Sequence, residues 1–161
     1  MNSIFIREIQ KEDNESLAKV IREVFIVDGY PKIGTAFADL KLDYMFEAYA
    51  NPRSVYYVVE ESGEIIGGAG VGPLEHATDD ICELQKMYFL KKARGRGIGF
   101  QMIQKCLESA KVFAYEKCYL ETLPEMFIAQ SLYKKVGFEY LCEPMGNTGH
   151  TTCPIWMIKK L

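Results

Sequence analysis

The chain has 161 residues, 48% of them hydrophobic and 25% charged, which is the composition and length of one ordinary folded domain that needs no disulfide or metal to hold a core. Nineteen basic residues against 22 acidic ones leave a net charge of -3, which argues against a nucleic-acid partner or a membrane surface, since both call for positive excess. No apolar run approaches the ~20 residues of a membrane span. The opening Met1-Asn2-Ser3-Ile4-Phe5-Ile6-Arg7 lacks the basic patch and long apolar stretch of a secretory signal, so a cytoplasmic setting is expected. The five cysteines, Cys82, Cys106, Cys118, Cys142 and Cys153, are odd in number and form no Cys-x-x-Cys pair. They read as reduced thiols used as small hydrophobes.

No repeat, low-complexity tract or linker interrupts the chain, and a single domain over 1–161 is expected. Ser3 to Glu8 reads as a strand. Glu12-Asp13 opens a helix with Asp13 as its N-cap, and Leu17, Val20, Ile21, Val24 and Phe25 form its apolar stripe. Asp28-Gly29-Tyr30-Pro31 ends that helix, and a second, less regular one is expected from Ala36 to Tyr49. Ser54 to Glu61 and Glu64 to Val71 pair as a hairpin about Ser62-Gly63. Gly67, Gly68 and Gly70 on the returning strand imply close approach of another backbone or a ligand. Asp80 to Leu90 is a longer strand, followed by a glycine-rich turn and a helix with Ile98, Met102, Ile103 and Cys106 on its apolar side. Lys117 to Thr122 reads as a strand, Glu125 to Val136 as a helix, Phe138 to Glu143 as a strand, Met145 to His150 as a loop and Ile155 to Ile158 as the last strand. Intermixed helices and hairpins point to a mixed sheet in an α/β fold.

The most informative stretch runs from Lys86 through Arg94-Gly95-Arg96-Gly97-Ile98-Gly99. A strand enters a turn with three alternate glycines, and the turn opens a helix. This is the chemistry of an anion site: the first amides of a helix have no internal acceptor, and the helix dipole adds positive charge there. Arg94 and Arg96 add charge and forked donors. A P-loop would need Gly-x-x-x-x-Gly-Lys-Ser/Thr, which is absent, and the spacing Gly95-x-Gly97-x-Gly99 is not the Gly-x-Gly-x-x-Gly of a dinucleotide fold. Arg94-x-x-Gly97-x-Gly99 instead resembles the Gln/Arg-x-x-Gly-x-Gly/Ala pyrophosphate loop of the GCN5-related N-acetyltransferases (the GNAT superfamily). Downstream, Ala129-Gln130-Ser131-Leu132-Tyr133-Lys134-Lys135-Val136-Gly137-Phe138 is similar to that family's second signature, Ala-x-x-Leu-Tyr-x-Lys-x-Gly-Phe. The likeness runs from Glu83 to Phe138 at the level of motifs and over nearly the whole chain in element order. One departure is Met126, which stands where the family often has an asparagine.

The resemblance implies an acyl-CoA N-acyltransferase fold, with a central sheet of about six to seven strands and helices on both faces. It implies acetyl-CoA as cofactor and direct attack by a primary amine of a small molecule or peptide in a ternary complex. The backbone amides of Met87 and Phe89, freed where their strand splays at a bulge, would meet the pantetheine and thioester, while their side chains serve the core. Arg94, Gly95, Arg96, Gly97, Ile98 and Gly99 would hold the pyrophosphate. Glu83 takes the place of the family's base, with Glu121 as its competitor, and a strict strand period puts Glu83, Gln85, Met87 and Phe89 on one face. Tyr133 takes the place of the acid that protonates the departing thiolate. Tyr30, Asn147 and His150, in the loops that border the family's acceptor cleft, are the candidate substrate contacts, with Asp28, Asp39 or Asp43 available for a basic acceptor. No metal is expected: the histidines are His76 and His150, and His150-x-x-Cys153 supplies only two ligands. Two other readings stand beside this one. A non-catalytic acyl-CoA sensor would keep the glycine turn without proton-transfer groups, and a cysteine acyl carrier at Cys82 or Cys153 would need a paired base. Homodimers are frequent among related enzymes, and the oligomeric state is left open.

Overall fold

The structure, a computed structural model, describes residues 3–161. Seven strands form one sheet: β1 Ile4–Glu8, β2 Val55–Glu61, β3 Glu64–Pro73, β4 Ile81–Phe89, β5 Lys117–Thr122, β6 Glu139–Leu141 and β7 Ile155–Lys160, in the order β1-β2-β3-β4-β5-β7-β6. Only β4 and β5 run parallel, and every other neighbouring pair is antiparallel. A parallel pair needs a crossover, and the helix α3 (Ile98–Val112) provides it. The other helices are α1 (Asn14–Asp28), α2 (Met45–Ala48) and α4 (Phe127–Lys135). Both faces of the sheet are buried because successive side chains of a strand point opposite ways. Tyr56 and Val58 of β2 pack with Leu17, Ile21 and Phe25 of α1, while Val55, Tyr57 and Val59 join Met102, Ile103 and Cys106 of α3. The mixed sheet with helices on both faces is therefore as expected, and β5 falls at its expected limits.

Two local expectations are corrected. Asp13 stands at the N-cap position of α1, but its carboxylate accepts from the Gln10 amide at 2.7 Å and from Arg7, closing the 3-10 turn Lys11–Asp13 instead. The helix expected from Ala36 to Tyr49 is broken into 3-10 turns at Ala36–Ala38 and Leu40–Tyr44 and the single turn α2. Between the two 3-10 turns Asp39 is extended (φ -64°, ψ 127°), and its carboxylate reaches inward to Lys86 and His150. The β3 glycines meet the close approach expected of them, from neighbouring backbone (Tyr88, Tyr57 and Val55 carbonyls at 2.7, 2.7 and 2.6 Å from a Cβ on Gly67, Gly68 and Gly70) and from aromatic side chains. A Cβ on Gly67 would lie 2.3 Å from the Phe89 ring, and one on Gly68 2.6 Å from the Tyr56 ring.

Candidate active site

The sheet opens between its parallel strands. β4 and β5 pair only at Ile81↔Lys117, Cys82↔Cys118 and Glu83↔Tyr119, although β4 continues to Phe89 and β5 to Thr122. The divergence coincides with a bulge. Gly70 opposes Gln85 while Gly68 opposes Tyr88, so β4 holds one extra residue, and Lys86 takes a left-handed φ of 48°. The extra residue reverses the alternation. Before it, Cys82 and Leu84 face the α3 core; after it, Met87 and Phe89 do. The expectation that Glu83, Gln85, Met87 and Phe89 share one face is thus wrong, because a strict period of two does not survive a bulge. The Leu90 amide donates to Ile66 of β3 at 2.9 Å. Alternation then turns the amides of Phe89 and Met87 to the opposite edge, which β5 has left.

A cavity of about 550 Å³ occupies the opening, and Glu83, Tyr133, Glu121 and His150 all line it. Glu83 is 7% exposed. Burial pushes its carboxyl up to about 7, against the hydrogen bond from Gln85 Nε2 at 2.7 Å and with the nearby charge of Glu121. The Tyr49 hydroxyl donates to Gln85 Oε1 at 2.6 Å. Burial holds the Tyr49 phenol well above its ordinary value, so it donates, and this fixes which end of the Gln85 amide meets Glu83. One Glu83 oxygen remains without a partner among the described residues. Glu121 is tied down by two hydroxyls, Tyr119 Oη at 2.7 Å and Thr148 Oγ1. On another wall, Asp39 holds Lys86 Nζ at 2.8 Å and His150 Nε2 at 3.0 Å. Burial works against the charged form of His150, yet the Asp39 hydrogen bond raises its pKa above the ordinary value.

Tyr133 of α4 is 6% exposed and packs edge-on against Phe138, with ring centroids 5.9 Å apart. Burial pushes its phenol up, so the hydroxyl keeps its proton, and it has no hydrogen-bond partner among the described residues. At the other end of the opening, Gly95 (φ 71°) and Gly97 (φ 76°) shape the turn into α3. A Cβ at either would meet nothing within 4 Å. Among the described residues, the amides of Gly95, Arg96, Gly97, Ile98 and Gly99 have no acceptor. The result is an open cradle of donors at a helix start, which suits a pyrophosphate. The arginines brace that cradle. Arg94 bonds Asp28 at 2.6 Å and the Phe89 carbonyl at 3.0 Å, and Arg96 bonds Glu61 at 2.9 Å and the Lys92 carbonyl at 3.1 Å. These contacts engage Nε and Nη2 of Arg94 and both Nη atoms of Arg96, while Arg94 Nη1 and Arg96 Nε have no partner among the described residues.

A model of the acetyltransferase (GNAT) family matches residues 18–138. The chain belongs to this family. It is 39% identical over 157 residues to the uncharacterized N-acetyltransferase YjgM of Escherichia coli K12, covering 97% of this chain and 94% of that protein. In structure it is similar to an acetyltransferase of the GNAT family from Staphylococcus aureus Mu50 (TM-score 0.87, 20% identity, 99% of both chains). It is also similar to the PaiA N-acetyltransferase of Thermoplasma acidophilum, solved in complex with coenzyme A (TM-score 0.77, 20% identity, 99% of both chains). These two likenesses bear on the fold. The chain is thus an N-acetyltransferase that draws its acetyl group from acetyl-CoA.

The acetyltransferase brings some of the expected acceptor contacts together and disperses others. His150 lines the cavity, but Tyr30 and Asn147 do not. Tyr30 packs on Phe25 at 5.9 Å, beside Asp28, and the Asn147 side chain accepts from the Gly149 amide at 3.1 Å to shape its own turn. Asp28 and Asp43 are held by Arg94 and Arg22. Met126 lines the cavity and accepts from the Thr122 hydroxyl at 3.4 Å, an apolar substitute at the family's asparagine position. Burial, with Glu121, Glu83 and Asp39 nearby, pushes the Cys153 thiol up to about 12, which makes it a poor nucleophile. Among the described residues no group of three or more His, Cys, Asp or Glu could hold a metal, and no helix is long and apolar enough to cross a membrane. Sequence reasoning missed Tyr49, Gln85 and Lys86. The one available signal was the polar pair Gln85-Lys86, close to Glu83 on a strand whose other residues are apolar or aromatic.

Proposed function

We propose that residues 1–161 act as one domain in which a primary amine of a small molecule or peptide attacks acetyl-CoA directly, with no acetyl group passing through the protein. The observation that most supports this is the buried Glu83 carboxyl at the mouth of the opening between β4 and β5, with one oxygen free and Tyr133 on the same cavity. Acetyl-CoA supplies an activated acetyl thioester. Glu83 takes the proton that the acceptor ammonium must lose, and a carboxyl poised near neutrality suits that task. The amides of Met87 and Phe89, turned to the open edge, donate to the cofactor arm and to the thioester oxygen as charge develops there. The amides from Gly95 to Gly99 hold the pyrophosphate. Tyr133 donates its proton to the departing sulfur.

A sensor has no use for a buried base and an unpartnered phenol on one cavity, so this pairing favours the enzyme. A cytoplasmic setting is part of the proposal: all five cysteines are free, and Cys82, Cys106 and Cys118 are buried. The test is acceptor-dependent CoA release over a panel of amines, with acetyl-CoA affinity measured by calorimetry. Glu83→Gln is expected to lower kcat by about a hundredfold or more, and Tyr133→Phe to lower kcat more than it lowers cofactor affinity. Full activity in both variants would sink the assignment.

A further inference from the structure

We propose that the acceptor is a free amino acid, its carboxylate seated on the Lys86 ammonium with His150 beside it and its amine turned to Glu83. This rests on the transferase reading above and adds to it the chemical class of the acceptor. The donors and acceptors around the cavity are unequally satisfied. Both oxygens of Asp39 are engaged by His150 Nε2, and one of them by Lys86 Nζ. Glu121 is covered by two hydroxyls, and Glu83 by Gln85 on one oxygen. The carboxylates are nearly satisfied. The cations are not: Lys86 has three N–H donors and, among the described residues, a single partner.

Lys86 is also poorly hydrated, with 14% of its side chain exposed, and His150 has 19%. A cation withdrawn from water with unmet donors calls for an anion. Lys86 and His150 share the single carboxylate of Asp39, and Glu83 and Glu121 line the same cavity. Lys41 and Glu75, both exposed, line the same cavity with opposite signs. The backbone agrees. Lys86 adopts a left-handed φ of 48°, uncommon outside glycine, and the bulge that imposes it sets the side chain of Lys86 on the cavity wall. The α-carbons of Lys86 and Glu83, three residues apart on one strand, lie at most about 10 Å apart, so a molecule as small as an amino acid can reach both side chains, which line one cavity. A polyamine would bring a second cation to the Lys86 wall and be repelled.

The experiment compares amino acids with their carboxamides, which keep the amine and lose the charge. CoA release is measured for each pair with the wild-type enzyme, Lys86→Met and His150→Gln, and acetyl-CoA affinity is measured in parallel. At least one acid is expected to exceed its amide by about fiftyfold in kcat/KM, the size of one well-placed charged hydrogen bond. Lys86→Met should close most of that gap by raising KM for the acid, and His150→Gln should close part of it. Amides used as well as acids by the wild type would overturn the proposal without any variant being needed, and would leave the transferase reading standing. A Lys86→Met enzyme that keeps the full preference would overturn the seat at Lys86. Acetyl-CoA binding with no release from acids, amides or simple amines would overturn both readings together.

Discussion

Glu83 is suited to be a base because ionising it where it sits is unfavourable. Burial pushes its carboxyl up to about 7, and Gln85 pulls the other way by donating to the ionised form. Gln85 is held in turn by Tyr49, so the tuning of the base depends on a residue 36 positions away. Gln85→Met removes the donor while keeping the volume. The acidic limb of the kcat–pH profile should then move to higher pH by about one unit, the size expected for one hydrogen bond to a charge. Tyr49→Phe should move it the same way by less. An unmoved limb in both variants would show that Gln85 merely packs. At this scale the sequence was partly legible. Glu83 and Tyr133 could be named from their places in motifs, but the Tyr49–Gln85 link joins distant strands and turns, and no local pattern records it.

The elements that matter are a bulged strand and a helix start. The bulge at Lys86 opens β4 from β5, and Gly97 begins α3 in a left-handed conformation. Gly97→Val should cost about 1–2 kcal/mol of stability from the backbone alone and fill the cradle. Acetyl-CoA affinity is expected to fall at least about tenfold while the melting transition stays cooperative. Unchanged affinity by calorimetry would remove the turn from the cofactor site. Gly67→Ala makes the contrast: its Cβ would meet the Phe89 ring at 2.3 Å and the Tyr88 carbonyl at 2.7 Å, so this variant should lose stability first. The sequence showed most strands within a residue or two, because valine- and tyrosine-rich runs bounded by turns are a local signal. It hid the break at Asp39, since Phe37, Leu40 and Tyr44 mimic a helical stripe. The bulge was expected only through the family resemblance, because nothing in Gln85-Lys86-Met87 itself marks an extra residue.

For the whole molecule, the active site opposes stability. Burial pushes the Glu83 carboxyl up to about 7 in the folded chain, against an ordinary 4.5. A carboxyl whose folded value is raised contributes stability that is fully present below about 4.5 and is lost as pH rises through about 7. Between pH 5 and 8 that loss is of order 2–3 kcal/mol. Glu83→Gln does not titrate, so its melting temperature should gain on the wild type by about 5 °C over that interval. A gap that stays constant with pH would mean that Glu83 is not strained in the fold. The most direct test of the account is kcat against pH at saturating amine and acetyl-CoA, for the wild type and Glu83→Gln. The wild type should lose activity with unit slope below about pH 7, and Glu83→Gln should lose both that limb and about a hundredfold in rate. A Glu83→Gln enzyme with the wild-type limb and a rate within twofold would place the base elsewhere and contradict the account.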